Sequence, residues 1–218
     1  AEACAEAGID RLVQISAVGG HRYSQSRYAR TKAAGEMAVA EAQPSATILR
    51  PSIVFGPEDE FFNRFAAMAR ISPFLPLIGG GKTRFQPVYV EDVAEAAIAA
   101  LEQPKARGEI FELGGPQVYS FREILEFILK VTHRKRLFLP MPFFAAKMLG
   151  GLVGWLPGAP ITLDQAKQLE VDNVVADDAK TLADLGIEAE CIEAIVPSYL
   201  ARFRRLGLFE HDEWEWQS

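Results

Sequence analysis

The sequence predicts an α/β protein: the later part of a doubly wound parallel sheet, followed by a smaller, mostly helical C-terminal region. Two observations carry this. Within the first 56 residues, β-type runs at 11–16 (RLVQIS) and 46–56 (ATILRPSIVFG) flank a helical stretch from Ser26 to Ala42. That is the strand–helix–strand order of a parallel unit, whose crossover must be long enough to return the chain. Further on, the β-type runs FQPVYV (85–90) and EIFELGG (109–115) bracket an alanine-rich helix at 91–102, after which helical patterns dominate.

Residues 1–8, AEACAEAG, read as the end of a helix closing on a glycine, without the basic flank and apolar run of a signal peptide. A chain that opens in mid-helix, without an initiator Met, is expected to be a piece of a longer protein. RLVQIS follows the helix-stop Gly8, and ATILRPSIVFG ends in Gly-Pro. Next come a helix near 60–70 and a Pro/Gly-rich passage, SPFLPLIGGGKT, whose glycine triplet Gly79–Gly81 reads as a loop leading into the strand at 85. Walker A needs a glycine five positions before Gly81, and Pro76 stands there. Ser120 with Glu123 forms a capping box opening the helix FREILEFILKVTHR, and Thr162 with Gln165 opens another. The expected division is 1–58 as the later part of a nucleotide-binding domain and 59–218 as a mixed substrate region into which 85–115 returns sheet elements.

The apolar run Phe143–Leu156 holds 14 residues, where spanning a bilayer takes ~20. Leu149, Leu152, Val153 and Leu156 share one helical face, and Gly150 and Gly154 leave a smooth strip where another backbone can approach. A core or substrate-lid helix is one reading; contact with a membrane surface or a greasy substrate is the other.

Composition narrows the function. With 218 residues, 49% hydrophobic and 24% charged, the chain can build a sizeable core. A formal charge of -6 offers no basic stripe, so no nucleic-acid partner is expected. Cys4 and Cys191 stand far apart without metal-ligand companions, and His21, His133 and His211 are scattered, so no metal site is expected and a reducing, cytoplasmic compartment fits.

The stretch SRYARTKAAGE (26–36) carries the chemistry. A phenol with an ordinary pKa near ~10 is a poor acid or base at neutral pH, and a nearby ammonium lowers that value. A spacing of four puts Tyr28 and Lys32 one turn apart on one helix face. Tyr23 has Arg27 at the same offset, but a guanidinium is a fixed charge that relays no proton. Y-x-x-x-K alone also describes a solvent-facing pair; its context decides. Ser16 ends the strand RLVQIS, and in an open α/β sheet ligands bind at the carboxyl ends of strands. A hydroxyl there can hydrogen-bond a carbonyl or alcohol oxygen while Tyr28 exchanges a proton with it.

The blocks ISAVGG, SRYARTKAAGE, ILRPSIVFGPED, RFQPVYVEDVAEAAIAAL and IFELGGPQVYSFREIL, in that order, resemble the extended short-chain dehydrogenase/reductases of the epimerase/dehydratase type, over almost the whole chain. With the late QLEVDNVV block they resemble more narrowly the atypical group that includes the dehydrogenase-like accessory subunit of respiratory complex I. The resemblance implies a Rossmann-type sheet and an NAD or NADP cofactor. It makes Ser16, Tyr28 and Lys32 the catalytic residues, with Tyr28 and Lys32 also at the cofactor and Lys32 on the nicotinamide ribose. Pro51, Ser52, Ile53 and Val54 become the loop along the nicotinamide, Arg50 supports that loop, and Asp92 is structural. The family's opening glycine-rich turn does not occur in this sequence.

Two functions stay open. One is oxidoreduction of a carbonyl or alcohol on a small molecule, which the apolar segments 73–78 and 137–156 suggest is hydrophobic. The other, which the resemblance implies, is a nucleotide-stabilised accessory or assembly protein of complex I or quinone metabolism, peripheral at the inner face of a respiratory membrane. For that role the tail LARFRRLGLFEHDEWEWQS offers Phe203, Leu208, Phe209, Trp214 and Trp216 as a contact, or else it is a frayed terminus.

Overall fold

A computed structural model describes residues 1–155 and 161–205. The elements, in order, are α1 (Glu2–Glu6), β1 (Val13–Ile15), α2 (Arg27–Ala42), β2 (Thr47–Pro51), β3 (Val54–Phe55) and α3 (Phe61–Ile71). There follow β4 (Phe74–Ile78), β5 (Arg84–Phe85), β6 (Val88–Tyr89), α4 (Val90–Glu102), β7 (Ile110–Leu113) and β8 (Tyr119–Ser120). The last are α5 (Phe121–Val131), β9 (Leu137–Met141), α6 (Phe143–Val153), α7 (Leu163–Gln168) and α8 (Ile192–Leu200).

The predicted parallel sheet is present. β1, β2 and β7 pair in that order, with Ile15 beside Leu49 and Pro51 beside Leu113. α2 makes the crossover from β1 to β2 and buries Ala29, Ala33 and Glu36, small side chains at 29 and 33 letting the helix lie close to its neighbours. Leu49, Val88, Ala96, Ala100, Phe111 and Leu113 form the core on this side. A second core gathers Phe55, Phe62, Phe121, Ile124, Leu125, Ile128, Ile192 and Leu200, where the C-terminal helices meet α3. Both capping boxes form, at Ser120 with Glu123 and at Thr162 with Gln165.

Three elements differ from expectation. The strand read at 85–90 is two short strands, β5 pairing with β8 and β6 with β3, and Val90 already belongs to α4. The run 46–56 is two strands rather than one: β2 stays in the main sheet, while β3 pairs with β6 in a separate two-stranded ribbon. The chain peels off at Ser52, whose N–H still donates to the Leu113 carbonyl. The passage SPFLPLI contains β4, which pairs in parallel with β9, a strand the sequence reading did not propose. Pro76 and Pro140 obscured both, because proline is tolerated only where its missing N–H is not needed, and a two-stranded ribbon has two free edges.

The glycine triplet is structural. All three residues have positive φ in a tight turn, and a Cβ on Gly79 would stand 2.1 Å from the Phe143 ring. Gly150 provides the close approach expected of it: a Cβ there would stand 2.5 Å from the Leu163 nitrogen. Leu149 packs against the second core, whereas Leu152 is exposed. Leu156 and the tail residues Leu208, Phe209, Trp214 and Trp216 lie outside the described residues; Phe203 packs against the second core.

Candidate functional site

Parallel strands end at one edge of the sheet, and there the chain turns at Ser16 and at Pro51–Ser52. The Ser16 N–H donates to the Leu49 carbonyl at 2.7 Å and the Val18 N–H to the Pro51 carbonyl at 2.9 Å, so the two turns lie side by side. Ser16 is buried, and its Oγ has no hydrogen-bond partner among the described residues. An orphaned buried hydroxyl is costly and calls for an explanation.

Ser26 caps α2, its Oγ accepting from the Ala29 N–H at 3.3 Å, and so starts the helix two residues before the tyrosine of the tyrosine–lysine pair. Lys32 Nζ stands 5.6 Å from the centre of the Tyr28 ring and donates to the Ile15 carbonyl at 3.4 Å. The structure places all seven predicted site residues, Ser16, Tyr28, Lys32 and Pro51–Val54, on the wall of one cavity of about 1110 Å³. In one respect the local electrostatics differ from expectation. Burial pushes the Tyr28 phenol up from its ordinary value: the ammonium lies over the ring face and is engaged by a backbone carbonyl. Tyr28 is therefore a neutral phenol at pH 7 in this arrangement.

Sequence reasoning missed the residues that fasten the C-terminal region onto this edge. The Asp164 carboxylate, in the first turn of α7, accepts from Ser26 Oγ at 2.9 Å and from the Arg27 and Tyr28 N–H groups at 2.7 and 3.1 Å. It caps α2 from a distant part of the chain. Asn173 is the second clamp: Ser52 Oγ donates to its Oδ1 at 2.6 Å and its Nδ2 donates to the Val18 carbonyl at 3.3 Å. The capping box at Thr162 marks where α7 begins, but nothing local says that its acidic residue reaches another helix. Asp92 is buried and accepts from the Glu190 N–H at 2.9 Å, with burial chiefly pushing its carboxyl up, as suits a structural residue.

Burial opposes ionisation of Asp164, but the donors from Arg27, Tyr28, Ser26 and Gln168 together hold its carboxyl below the ordinary value. A depressed carboxylate adds stability above its unfolded pKa of ~3.9, lost as pH falls through the folded value. Asp164→Ala is accordingly expected to cost about 1–2 kcal/mol at pH 7. That deficit should shrink below about pH 4. Thermal melts of both proteins across that range check it, and a deficit independent of pH would refute the carboxylate's role.

The model of the NAD dependent epimerase/dehydratase family matches residues 1–114. Over 92% of this chain the sequence is 38% identical to the mitochondrial NADH dehydrogenase (ubiquinone) 1 alpha subcomplex subunit 9 of Arabidopsis thaliana, of which the match spans 52%. The chain spans about half the length of the curated relatives it matches. A ceramide reductase of Caulobacter vibrioides is 40% identical over 105 residues, 48% of this chain and 32% of that protein. Among solved structures, a nucleoside-diphosphate-sugar epimerase from Staphylococcus aureus superimposes with a TM-score of 0.67 at 13% identity, over 91% of this chain and 67% of its own, a likeness of fold alone.

Proposed function

Because the chain belongs to the NAD dependent epimerase/dehydratase family, we propose that its cavity takes the nicotinamide end of NAD or NADP beside a hydrophobic substrate, whose carbonyl or alcohol it reduces or oxidises. The observation that carries this is the unpartnered Ser16 hydroxyl, buried on the same cavity as Tyr28 and Lys32. These residues fit the group: a hydroxyl awaits an oxygen, a phenol stands ready to donate, and an ammonium is in reach. Pro51–Val54 would lie along the nicotinamide, and Lys32 would hold its ribose hydroxyls. When bound, the dinucleotide supplies or accepts the hydride. Tyr28 passes a proton to the substrate oxygen in the reducing direction, and Ser16 Oγ donates a hydrogen bond to that oxygen as charge develops on it. Phe61, Phe65, Met68, Met141 and Leu149 on the same wall favour an apolar substrate.

The match to a respiratory subunit over nearly the whole chain favours a second reading. In it the dinucleotide is not turned over but stabilises the fold by binding linkage, and the protein is peripheral at the inner face of a respiratory membrane. Among the described residues no helix is long and apolar enough to cross a membrane.

One experiment separates the readings. The full-length gene product is loaded with NADH or NADPH, and nicotinamide fluorescence is followed while quinone and lipid extracts are added. Loss of the reduced cofactor, absent in Tyr28→Phe, is the result expected. A cofactor that raises the melting temperature yet stays reduced with every extract would favour the second reading, and no binding of either cofactor would overturn both.

A further inference from the structure

Charge is divided unevenly along this chain. Residues 61–90 and 127–163 contain nine Lys and Arg and no Asp or Glu, in a protein of net charge -6. Those two stretches meet in space, since each contributes one strand of the β4–β9 ribbon.

The ribbon has two unlike faces. Leu75 and Leu77 point into the second core, while Phe74, Pro76, Ile78, Leu139 and Met141 line the cavity. At the outer end that cavity face runs onto the surface: Phe74 and Leu139 are about half exposed, Leu137 is 68% exposed and the adjoining Ile71 82%. Apolar side chains therefore continue from the cavity wall to solvent without a polar break on the ribbon.

α6 begins two residues after the ribbon ends and adds a second apolar surface. Phe144, Met148 and Leu152 recur every four residues along it, followed by Trp155, all strongly exposed. Basic residues edge the ribbon. Arg70 and Lys135 are exposed, and Arg136 hydrogen-bonds the backbone carbonyls of Ala69 and Lys135 rather than a carboxylate. Of the other cations in these stretches, Lys147 pairs with Glu170 and Arg84 with Asp172.

We propose that the outer end of the β4–β9 ribbon and the exposed side of α6 dock on an anionic lipid bilayer, with the cavity mouth at the membrane surface. An apolar face flanked by cations in an otherwise acidic protein is what such a surface selects: apolar groups enter the acyl boundary and the rim meets the headgroups. A purely apolar protein partner would leave the acid-free character of both stretches without a role. One consequence rests on the proposed function: its substrate is a membrane lipid, whose chain enters between Phe74 and Leu139.

The test is co-sedimentation of the full-length gene product with vesicles of phosphatidylcholine, alone or mixed with phosphatidylglycerol. Binding to the mixed vesicles should be roughly tenfold tighter and weaken with salt. Arg70→Glu with Lys135→Glu should remove that preference. Leu137→Ser with Phe144→Ser should weaken binding to the mixed vesicles roughly tenfold, with unchanged melting temperature showing that the fold survives. No binding to the anionic vesicles would overturn the proposal. So would binding that survives both pairs of substitutions, or that depends only on residues 206–218. The measurement needs neither nucleotide nor turnover, so it can fail while the proposed chemistry stands, and a cofactor that never reacts leaves it intact.

Discussion

Tyr28→Phe is expected to lower turnover by about 10²–10⁴-fold, the range for removing a positioned acid, while leaving the fold and dinucleotide binding nearly unchanged. The ring that faces Lys32 at 5.6 Å remains, and only the hydroxyl is lost. Ser16→Ala should separate stability from chemistry. Its Oγ is buried and has no partner among the described residues, so deleting it removes a desolvated group that gives nothing back. The unliganded protein should be as stable as the parent or slightly more so. Turnover should nevertheless fall about 10²-fold, as when one donor to a developing oxyanion is removed. The pH profile carries a further sign. Burial raises the Tyr28 pKa, so the acid is already protonated at neutral pH. Reduction should hold steady through neutrality and decline only as the phenol ionises, above the ordinary value for tyrosine. An alkaline limb near neutral pH would instead show that Lys32 lowers the tyrosine once the cofactor is bound. Equal turnover by Tyr28→Phe and the parent would remove Tyr28 from the reaction.

What could be read from the sequence is what is encoded within one or two turns of chain. Tyr28 and Lys32 sit four apart, Ser120 and Glu123 three apart, and each pair met as its spacing required. The place of Ser16 was legible because it closes a strand-forming run, and parallel strands of an α/β sheet share one carboxyl edge. What escaped depends on residues brought together from far apart. Asp164 caps α2 from 136 to 138 positions away, and Asn173 meets Ser52 across 121. Neither type of residue is unusual where it stands, so no local pattern distinguishes a long-range clamp from an ordinary acid at a helix start. The β4–β9 ribbon escaped for another reason: proline reads as a loop signal, and only the pairing partner shows that Pro76 and Pro140 are harmless. The effect of Lys32 on Tyr28 was misjudged because spacing fixes which side chains share a helix face but not what else binds the ammonium.

Removing Arg50 should be the most damaging single change to stability near the site. Tyr28, Lys32 and Glu36 recur every four residues, so they form one stripe along α2, and Glu36 is its buried end. Arg50 on β2 grips that end through both carboxylate oxygens, Nη2 at 2.6 Å and Nε at 2.9 Å, and its Nη1 reaches Glu112 on β7 at 3.4 Å. The pair thus fixes the rotation of α2 against the sheet, and with it where Tyr28 and Lys32 stand relative to Ser16. Arg50→Ala leaves Glu36 buried and uncompensated beside a second carboxylate, at an expected cost of about 3 kcal/mol. For a chain of this size that lowers the melting temperature by roughly 6–12 °C. Arg50→Lys should recover only part of the loss, because an ammonium cannot make the two parallel bonds. Replacing Arg50 and Glu36 together by leucine should recover most of it, since a buried pair is seldom more stabilising than the apolar residues that could fill its space. A double-mutant cycle read by thermal unfolding measures the coupling directly. If the two single losses simply add, Glu36 does not depend on Arg50, and the orientation of the Tyr28–Lys32 stripe must be set by the packing of Ala29 and Ala33 alone.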